Sequence, residues 1–419
     1  MTQVTPHYVK PSQLRIGLYI YLDLGWMDHP FPVSSFEIRN QDQINKLCGL
    51  GLDQIRYSPE KSTPEPNRIE SELSDYQVRP LPQIVVALSA TQMREQQLGL
   101  QQASFLRCER LFSQSLQDYK RIAENLHSAP EHACELAKAA VHQLLDGILQ
   151  EDEAAIRLLS EKNGEKSALH AVNVTLISLL LGKALELPKE EMAELGLGAM
   201  LHDMGKLDLP ERQRWLDEYS SPAERQLYQS HVVHGVSMAR KMALSHSATL
   251  LIAQHHEFAD GSGFPSQVMN EKMTGLSRII SVVNRFDNLC NPGHAGVALT
   301  PHEALSQLFT KYKAQSDTRT LTAFIKMMGI YPPGSVVQLS DERYAMVVSV
   351  NSAKPMKPRV IIHDHKIAPD DAVIFNLEDD AQIGIRRSLK PLQLPKSAYD
   401  FLTPRHRLSY FYEPTSLHA

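Results

Sequence analysis

Over roughly half of this chain, from about Ala129 to Met328, apolar residues return at steps of three and four. That period lines them along one stripe of a helix. It is clearest in Ala137 to Leu149, Leu169 to Leu185 and Met192 to Leu201. Few strand signals interrupt it, so the sequence predicts an all-α domain here. The most apolar stretch, Ala171 to Leu181, falls short of the roughly 20 residues that span a bilayer. It also holds Asn173, Thr175 and Ser178, and it reads as a core helix.

The flanks differ. Arg15 to Leu22 is rich in β-forming residues, Asp42 to Leu50 has the pattern of a short helix, and Gln54 to Tyr57 that of another strand. Together they predict a small α+β module. Pro59 to about Pro82, rich in Pro, Ser and Glu, reads as a linker. From about Ala90 to Leu126 a polar helical pattern is crowded with glutamines, and it points to a long helix that packs against a partner copy in a homodimer. After Tyr331-Pro332-Pro333-Gly334, β-branched runs at Val336 to Leu339, Ala345 to Val350 and Arg359 to His363 predict a small β-rich module. Tyr410-Phe411-Tyr412 is expected to pack against a neighbouring domain. The expected fold is multidomain and mainly α, divided as 1–128, 129–330 and 331–419.

With 43 Lys and Arg against 48 Asp and Glu, the net charge is −5. That balance gives no basic stripe for a nucleic-acid backbone. The four cysteines, Cys48, Cys108, Cys134 and Cys290, pair at no zinc-finger or redox spacing. The start, Met1 to Tyr8, lacks the charged-then-apolar pattern of a signal peptide. A reduced, cytoplasmic setting away from membranes is expected.

Chemistry enters with Leu201-His202-Asp203-Met204-Gly205-Lys206 at the end of an apolar helix. An adjacent His-Asp offers an imidazole nitrogen and a carboxylate that can bridge two ions. Alone, the pair reads as a helix C-terminus with Gly205 as its cap. Further groups sit on or at the ends of other predicted helices: His170, His231, His255-His256 in the run to Pro265, and Val283-Asn284-Arg285-Phe286-Asp287. A helical bundle can gather such groups in its core. Buried and unpaired they would be costly, and a shared metal site removes that cost.

These residues resemble the HD-GYP family of the HD phosphohydrolase superfamily. His255 to Pro265 matches its HHExxDGxGYP motif with Phe264 for Tyr, and His202-Asp203 with Lys206 matches HDxGK. The resemblance covers about Ala133 to Met328. The N-terminal segment is similar to a module of unknown function found ahead of such domains. The family implies that His170, His202, Asp203, His231, His255 and His256 are metal ligands, with Asp203 bridging two divalent ions, iron or manganese. It implies that Lys206 faces the substrate phosphate or the attacking water. It also implies that Gly261, Gly263 and Pro265 shape a loop beside the site, with Phe264 in it. Members hydrolyse cyclic di-GMP and contact GGDEF-domain cyclases through this loop. Paired ions at roughly 3.5–4 Å activate water and polarise a phosphoryl oxygen, so no protein nucleophile is needed.

Three departures from the pattern matter. Asn284 stands where the family has its last Asp ligand, which implies weaker metal binding or altered geometry, with Asp287 one turn on as a substitute. Lys166 stands where some members have a Glu that holds a third ion, so two ions are expected. The stretch 288–296 lacks the basic pair that contacts dinucleotide phosphates, leaving His294 as the nearest candidate. A phosphodiesterase acting on cyclic di-GMP is the leading expectation. A non-catalytic receptor for the dinucleotide, or an HD hydrolase acting on another nucleotide, stands beside it.

Overall fold

A computed structural model describes residues 7–23, 34–48, 50, 52, 54–63, 90–150, 154–160, 165–216, 219–293, 298–350, 356–403 and 408–414. The chain divides into two compact units, Met1–Val86 and Ala87–Ala419.

In the first unit, β1 (His7–Val9), β2 (Tyr19–Tyr21), β3 (Ser35–Glu37), α1 (Gln41–Cys48) and β4 (Ile55–Ser58) form the expected α+β module. Its antiparallel sheet runs β1-β4-β2-β3. Leu18, Ile20, Ile38, Leu47 and Ile55 make its core.

The second unit begins with two long helices, α2 (Ala90–Asn125) and α3 (Pro130–Gln150), followed by strand β5 (Ala154–Ser160). Then come α4 (Lys166–Ala184), α5 (Lys189–Leu201), α6 (Pro222–Lys241), α7 (His246–Gln254), α8 (Gly275–Cys290), α9 (Pro301–Thr310) and α10 (Thr318–Met328). Local chemistry sets where these helices start. Ser221 and Glu224 close a capping box on α6, as Thr300 and Glu303 do on α9, each with Pro in the first turn. Ser245, Thr274 and Asp317 cap α7, α8 and α10 through side-chain oxygens. Helix α4 is apolar on all sides and buried from Ala168 to Gly182. Among the described residues it is the one helix long and apolar enough to cross a membrane. Here it is the axis of the core, packed by α2, α5, α8 and α10.

The mainly α expectation is borne out, and three details differ from the sequence reading. First, β5 interrupts the region expected to be all helix. Second, α2 belongs by packing with the helices after it, because Cys108, Phe112, Tyr119, Ile122 and Leu126 are buried in their common core. Third, the C-terminal strands share a sheet with β5. They are β6 (Val336–Leu339), β7 (Tyr344–Val350), β8 (Arg359–Ile362), β9 (Ile374–Asn376) and β10 (Ile385–Leu389), then, after α11 (Lys396–Leu402), β11 (Leu408–Pro414). The order β10-β6-β7-β5-β11, with β8 and β9 added beside β7, ties both ends of the unit together. Strand β11 pairs with β5 over seven residues, Leu408 with Ser160 through Pro414 with Ala154. Tyr410, Phe411 and Tyr412 are accordingly core residues.

Candidate metal centre

Asp203 is the hub. It follows the last turn of α5 and begins a 3-10 turn, Met204–Asp208. Its Oδ2 lies 3.4 Å from His170 Nε2 and 3.4 Å from His202 Nε2. Its Oδ1 lies 3.4 Å from His231 Nε2 and 3.6 Å from His255 Nε2. Each carboxylate oxygen thus faces one pair of imidazoles. Within each pair the nitrogens themselves approach, His170 Nε2 to His202 Nε2 at 3.2 Å and His231 Nε2 to His255 Nε2 at 3.2 Å.

The far side of each ring fixes its tautomer. The Nδ1 atoms of His202, His231 and His255 face the carbonyls of Ala199, Tyr228 and Ile252 at 2.7, 2.5 and 2.7 Å. Each carbonyl lies three residues back, and it only accepts, so each Nδ1 carries the proton. His170 Nδ1 faces Asp287 Oδ2 at 2.6 Å with the same consequence. All four Nε2 atoms therefore face one carboxylate, and those of His231 and His255, whose rings burial keeps neutral, face it as lone pairs. Asp203 Oδ1 and His256 Nε2, both buried, have no hydrogen-bond partner. His256 stacks on Phe264, with ring centroids 4.4 Å apart. Lone pairs facing one another repel, and unpartnered buried polar atoms are costly. A cation in each pair removes both costs. Two donor groups fit one, Asp203 with His231, His255 and His256, and Asp203 with His170 and His202.

Electrostatics agrees with that donor set. Burial pushes the His231 imidazole down to about 3, and also lowers His255 and His256. These rings are neutral at neutral pH, the state a metal ligand needs. Burial alone would raise the Asp203 carboxyl, but the Lys206 ammonium and the His202 ring hold it well below the usual carboxylate range. Lys206 Nζ sits 2.6 Å from Asp203 Oδ2. Burial alone would lower its pKa, and the Asp203 carboxylate beside it keeps it above the ordinary lysine value.

One expected ligand sits differently. The Asp287 carboxylate lies behind His170, away from the imidazole pair. Its Oδ2 accepts a hydrogen bond from His170 Nδ1–H, and its Oδ1 accepts the Asn173 and Asn291 amides at 3.0 and 2.9 Å. Every one of its described bonds orients a neighbour. Asn284 is buried, with Oδ1 2.7 Å from Asn288 Nδ2.

In the loop after α7, buried Glu257 accepts the Ser266 and Val268 N–H groups at 2.6 and 3.1 Å and shapes the chain around the Phe264-Pro265 cis peptide bond. Gly261 has φ +75°, and a Cβ on Gly263 would lie 2.5 Å from backbone atoms of residues 256, 257 and 258. These contacts explain why both positions are glycine. His294 lies outside the described residues. Sequence reasoning missed Trp215, whose ring carries the ammonium groups of Lys166 at 3.9 Å and Lys206 at 4.7 Å. It also missed the two asparagines that hold Asp287. Asn173 sits one turn after His170 and Asn291 one turn after Asp287, a spacing that would have flagged them.

Residues 149–318 match the HD domain family, and residues 8–137 match a Domain of unknown function (DUF3391). The chain is thus similar to an HD domain over the first stretch and to the second family over the other. It is 25% identical over 361 residues to the cyclic di-GMP phosphodiesterase PA4108 of Pseudomonas aeruginosa, covering 84% of each chain. It is 23% identical over 201 residues to the cyclic di-GMP phosphodiesterase PdeB of Borreliella burgdorferi, covering 48% of this chain and 53% of that one. Among solved structures, an HDG"Y"P protein of Bdellovibrio bacteriovorus, Bd1817, aligns with a TM-score of 0.42 and 16% identity over 76% of this chain and 98% of that chain.

Proposed function

We propose that this chain is a metal-dependent phosphodiesterase that hydrolyses cyclic di-GMP to the linear dinucleotide, to GMP, or to both. The observation that carries this reading is the convergence of four imidazole Nε2 atoms on the two oxygens of Asp203. The relative that matches most of the chain's length, and bears that activity in its name, supports the substrate class. When bound, divalent ions supply Lewis acidity toward water and a phosphoryl oxygen.

The chain's own residues do the rest. His170 and His202 on one side, and His231, His255 and His256 on the other, would hold two ions with Asp203 common to both. Iron or manganese suits nitrogen and oxygen donors without thiolate. Lys206 keeps its proton and lies beside Asp203, where its charge offsets that of an incoming phosphate. Phe264 stacks on His256, and Gly261 and Gly263 belong to the loop that carries it to the substrate side. Lys166 bonds to the Gly293 carbonyl and lies over Trp215, so a cation of the protein already stands there and two ions rather than three are proposed.

A cytoplasmic setting, contact of the loop with GGDEF-domain proteins, and a homodimer through α2 belong to the same reading. Leu100 and Leu106 of α2 are exposed and available for such a contact. So does a functional division into an N-terminal module with its long helix (1–128), the phosphodiesterase domain (129–330) and a C-terminal module (331–419).

The test is direct. The full chain loaded with manganese or iron is incubated with cyclic di-GMP, beside His202→Ala. Expected are linear product, about two ions per chain by elemental analysis, and neither in the variant. Tight binding of the dinucleotide without turnover would instead establish the non-catalytic receptor. One observation favours that second reading, the neutral Asn284 amide in place of a carboxylate. Asn284→Asp is therefore expected to tighten ion binding about tenfold, ~1.4 kcal/mol. Unchanged affinity and turnover would show that position 284 plays no part in holding the ion.

A further inference from the structure

Strand β11 begins in an unusual way for a strand. The Leu408 carbonyl accepts two side-chain amides, Asn173 Nδ2 at 3.0 Å and Asn291 Nδ2 at 2.9 Å. The Leu408 N–H donates to Asn291 Oδ1 at 2.9 Å, and the Tyr410 N–H donates to Asn173 Oδ1 at 3.2 Å. The second amide hydrogen of each asparagine goes to Asp287 Oδ1, at 3.0 and 2.9 Å. The oxygen and both hydrogens of the two carboxamides are thus used. Backbone N–H groups of β11 fix which end of each amide is oxygen, because a flipped amide would set donor against donor. The remaining Asp287 oxygen holds His170 Nδ1. Asp287 is fully buried, and Asn173, Asn291 and His170 are at most 8% exposed. Water therefore has little room to replace a lost partner.

We propose that β11 is a positioning strand of the ion site: through Asn173 and Asn291 its backbone sets Asp287, and through Asp287 the ring of His170. The inference rests on reading the Asp203 cluster as an ion site. Asn173 and Asn291 are positioning residues, since neither faces the converging nitrogens. Their effect falls on the ion held by His170, His202 and Asp203. The ion held by His231, His255 and His256 is served by two rings anchored on helical carbonyls and one stacked on Phe264, none of them through Asp287, and is spared. The strand that carries this role is also the one that packs on α2. Phe411 meets Phe112 edge-on at 6.2 Å, and Cys108 Sγ approaches the Tyr412 carbonyl at 3.6 Å. The long helix and the His170 ring are thereby linked through one strand.

The experiment titrates the metal-free full chain with Mn²⁺ alone by calorimetry, for wild type, Asn173→Leu, Asn291→Leu, Asp287→Asn and each leucine variant combined with Asp287→Asn. Substitutions behind a ligating histidine cost about 10- to 100-fold in metal affinity. Each single variant is expected to weaken one of two binding steps by about tenfold or more and leave the other unchanged. Each double variant should bind as Asp287→Asn does, because the asparagines act only through that carboxylate. The Co²⁺ absorption spectrum of Asn291→Leu should shift as that of Asp287→Asn does. Where a leucine variant does not fold, the smaller Asn173→Ser or Asn291→Ser takes its place. Wild type that binds Mn²⁺ while the folded variants bind it equally well overturns the positioning role and leaves the ion site standing. Losses that add in the double variants, or that fall equally on both steps, overturn it too. Wild type that takes up no ion overturns the ion site itself, and this inference with it.

Discussion

Asp203→Asn will leave the chain folded and abolish both ion uptake and hydrolysis of cyclic di-GMP, by at least about 10³-fold, ~4 kcal/mol in the barrier. The two oxygens of this carboxylate each face a different pair of imidazoles, at 3.4 to 3.6 Å. An amide keeps the shape but offers one neutral oxygen, and its NH₂ end would point a donor at one pair of lone pairs. At least one ion loses its shared ligand, and the ion that remains loses the negative charge that offset its own. Asp203→Ala is the less informative variant. It also deprives the Lys206 ammonium, only 5% exposed, of the acceptor oxygen that asparagine keeps, and a buried donor left without a partner costs about 1–3 kcal/mol or more. Loss of activity there would mix chemistry with unfolding. The informative comparison is between ion content and thermal midpoint. Asp203→Asn should lose the first and keep the second close to that of the metal-free wild type. Retention of both ions and a tenth of the turnover would remove Asp203 from the centre of the site.

How far the sequence led can be judged residue by residue. Of the histidines picked out by spacing, His170, His202, His231 and His255 turn their Nε2 atoms toward Asp203, and for those at a helix end local sequence goes far to place the ring. His202 and His255 each follow an apolar helix, and the carbonyl three residues back orients each ring. What depended on distant chain was not legible. Strand β5 is a short apolar run whose partner, β11, lies about 250 residues further on, so nothing local separated it from a helix fragment. Asp287 shares its helix with Asn284, and helical spacing alone could not say that its carboxylate turns toward His170 and away from the converging nitrogens. Helical spacing sets Asn173 beside His170 and Asn291 beside Asp287, but the peptide groups of β11 that occupy their amides come from distant chain. For the same reason the 128/129 boundary drawn from composition crosses a core that packing makes continuous, with Phe112 and Phe411 in contact.

The largest stability effect is expected at a residue with no chemistry of its own. Gly205 lies in the turn two residues after Asp203, pressed against α6. A Cβ there would come within 2.0 Å of the His231 carbonyl oxygen, 2.4 Å of the Gly235 nitrogen and 3.0 Å of the Gly235 Cα. All three are backbone atoms of one helix, so no side chain can swing aside. Alanine must push α6 away from the turn by more than an ångström. Overpacking of this kind costs about 3 kcal/mol or more, a fall in Tm of roughly 6–12 °C. The displaced helix carries His231, whose Nε2 lies 3.4 Å from Asp203 Oδ1, so ion binding should fail along with stability. Gly99 in α2 provides the opposite case. It has nothing within 4 Å of its would-be Cβ, and Gly99→Ala should gain up to about 1 kcal/mol from helix propensity with turnover unchanged. Thermal melts and ion content measured on the two variants side by side decide the matter. If Gly205→Ala melts within a degree or two of wild type and binds its ions, the close seating of this turn on α6 is not what holds Asp203 opposite His231.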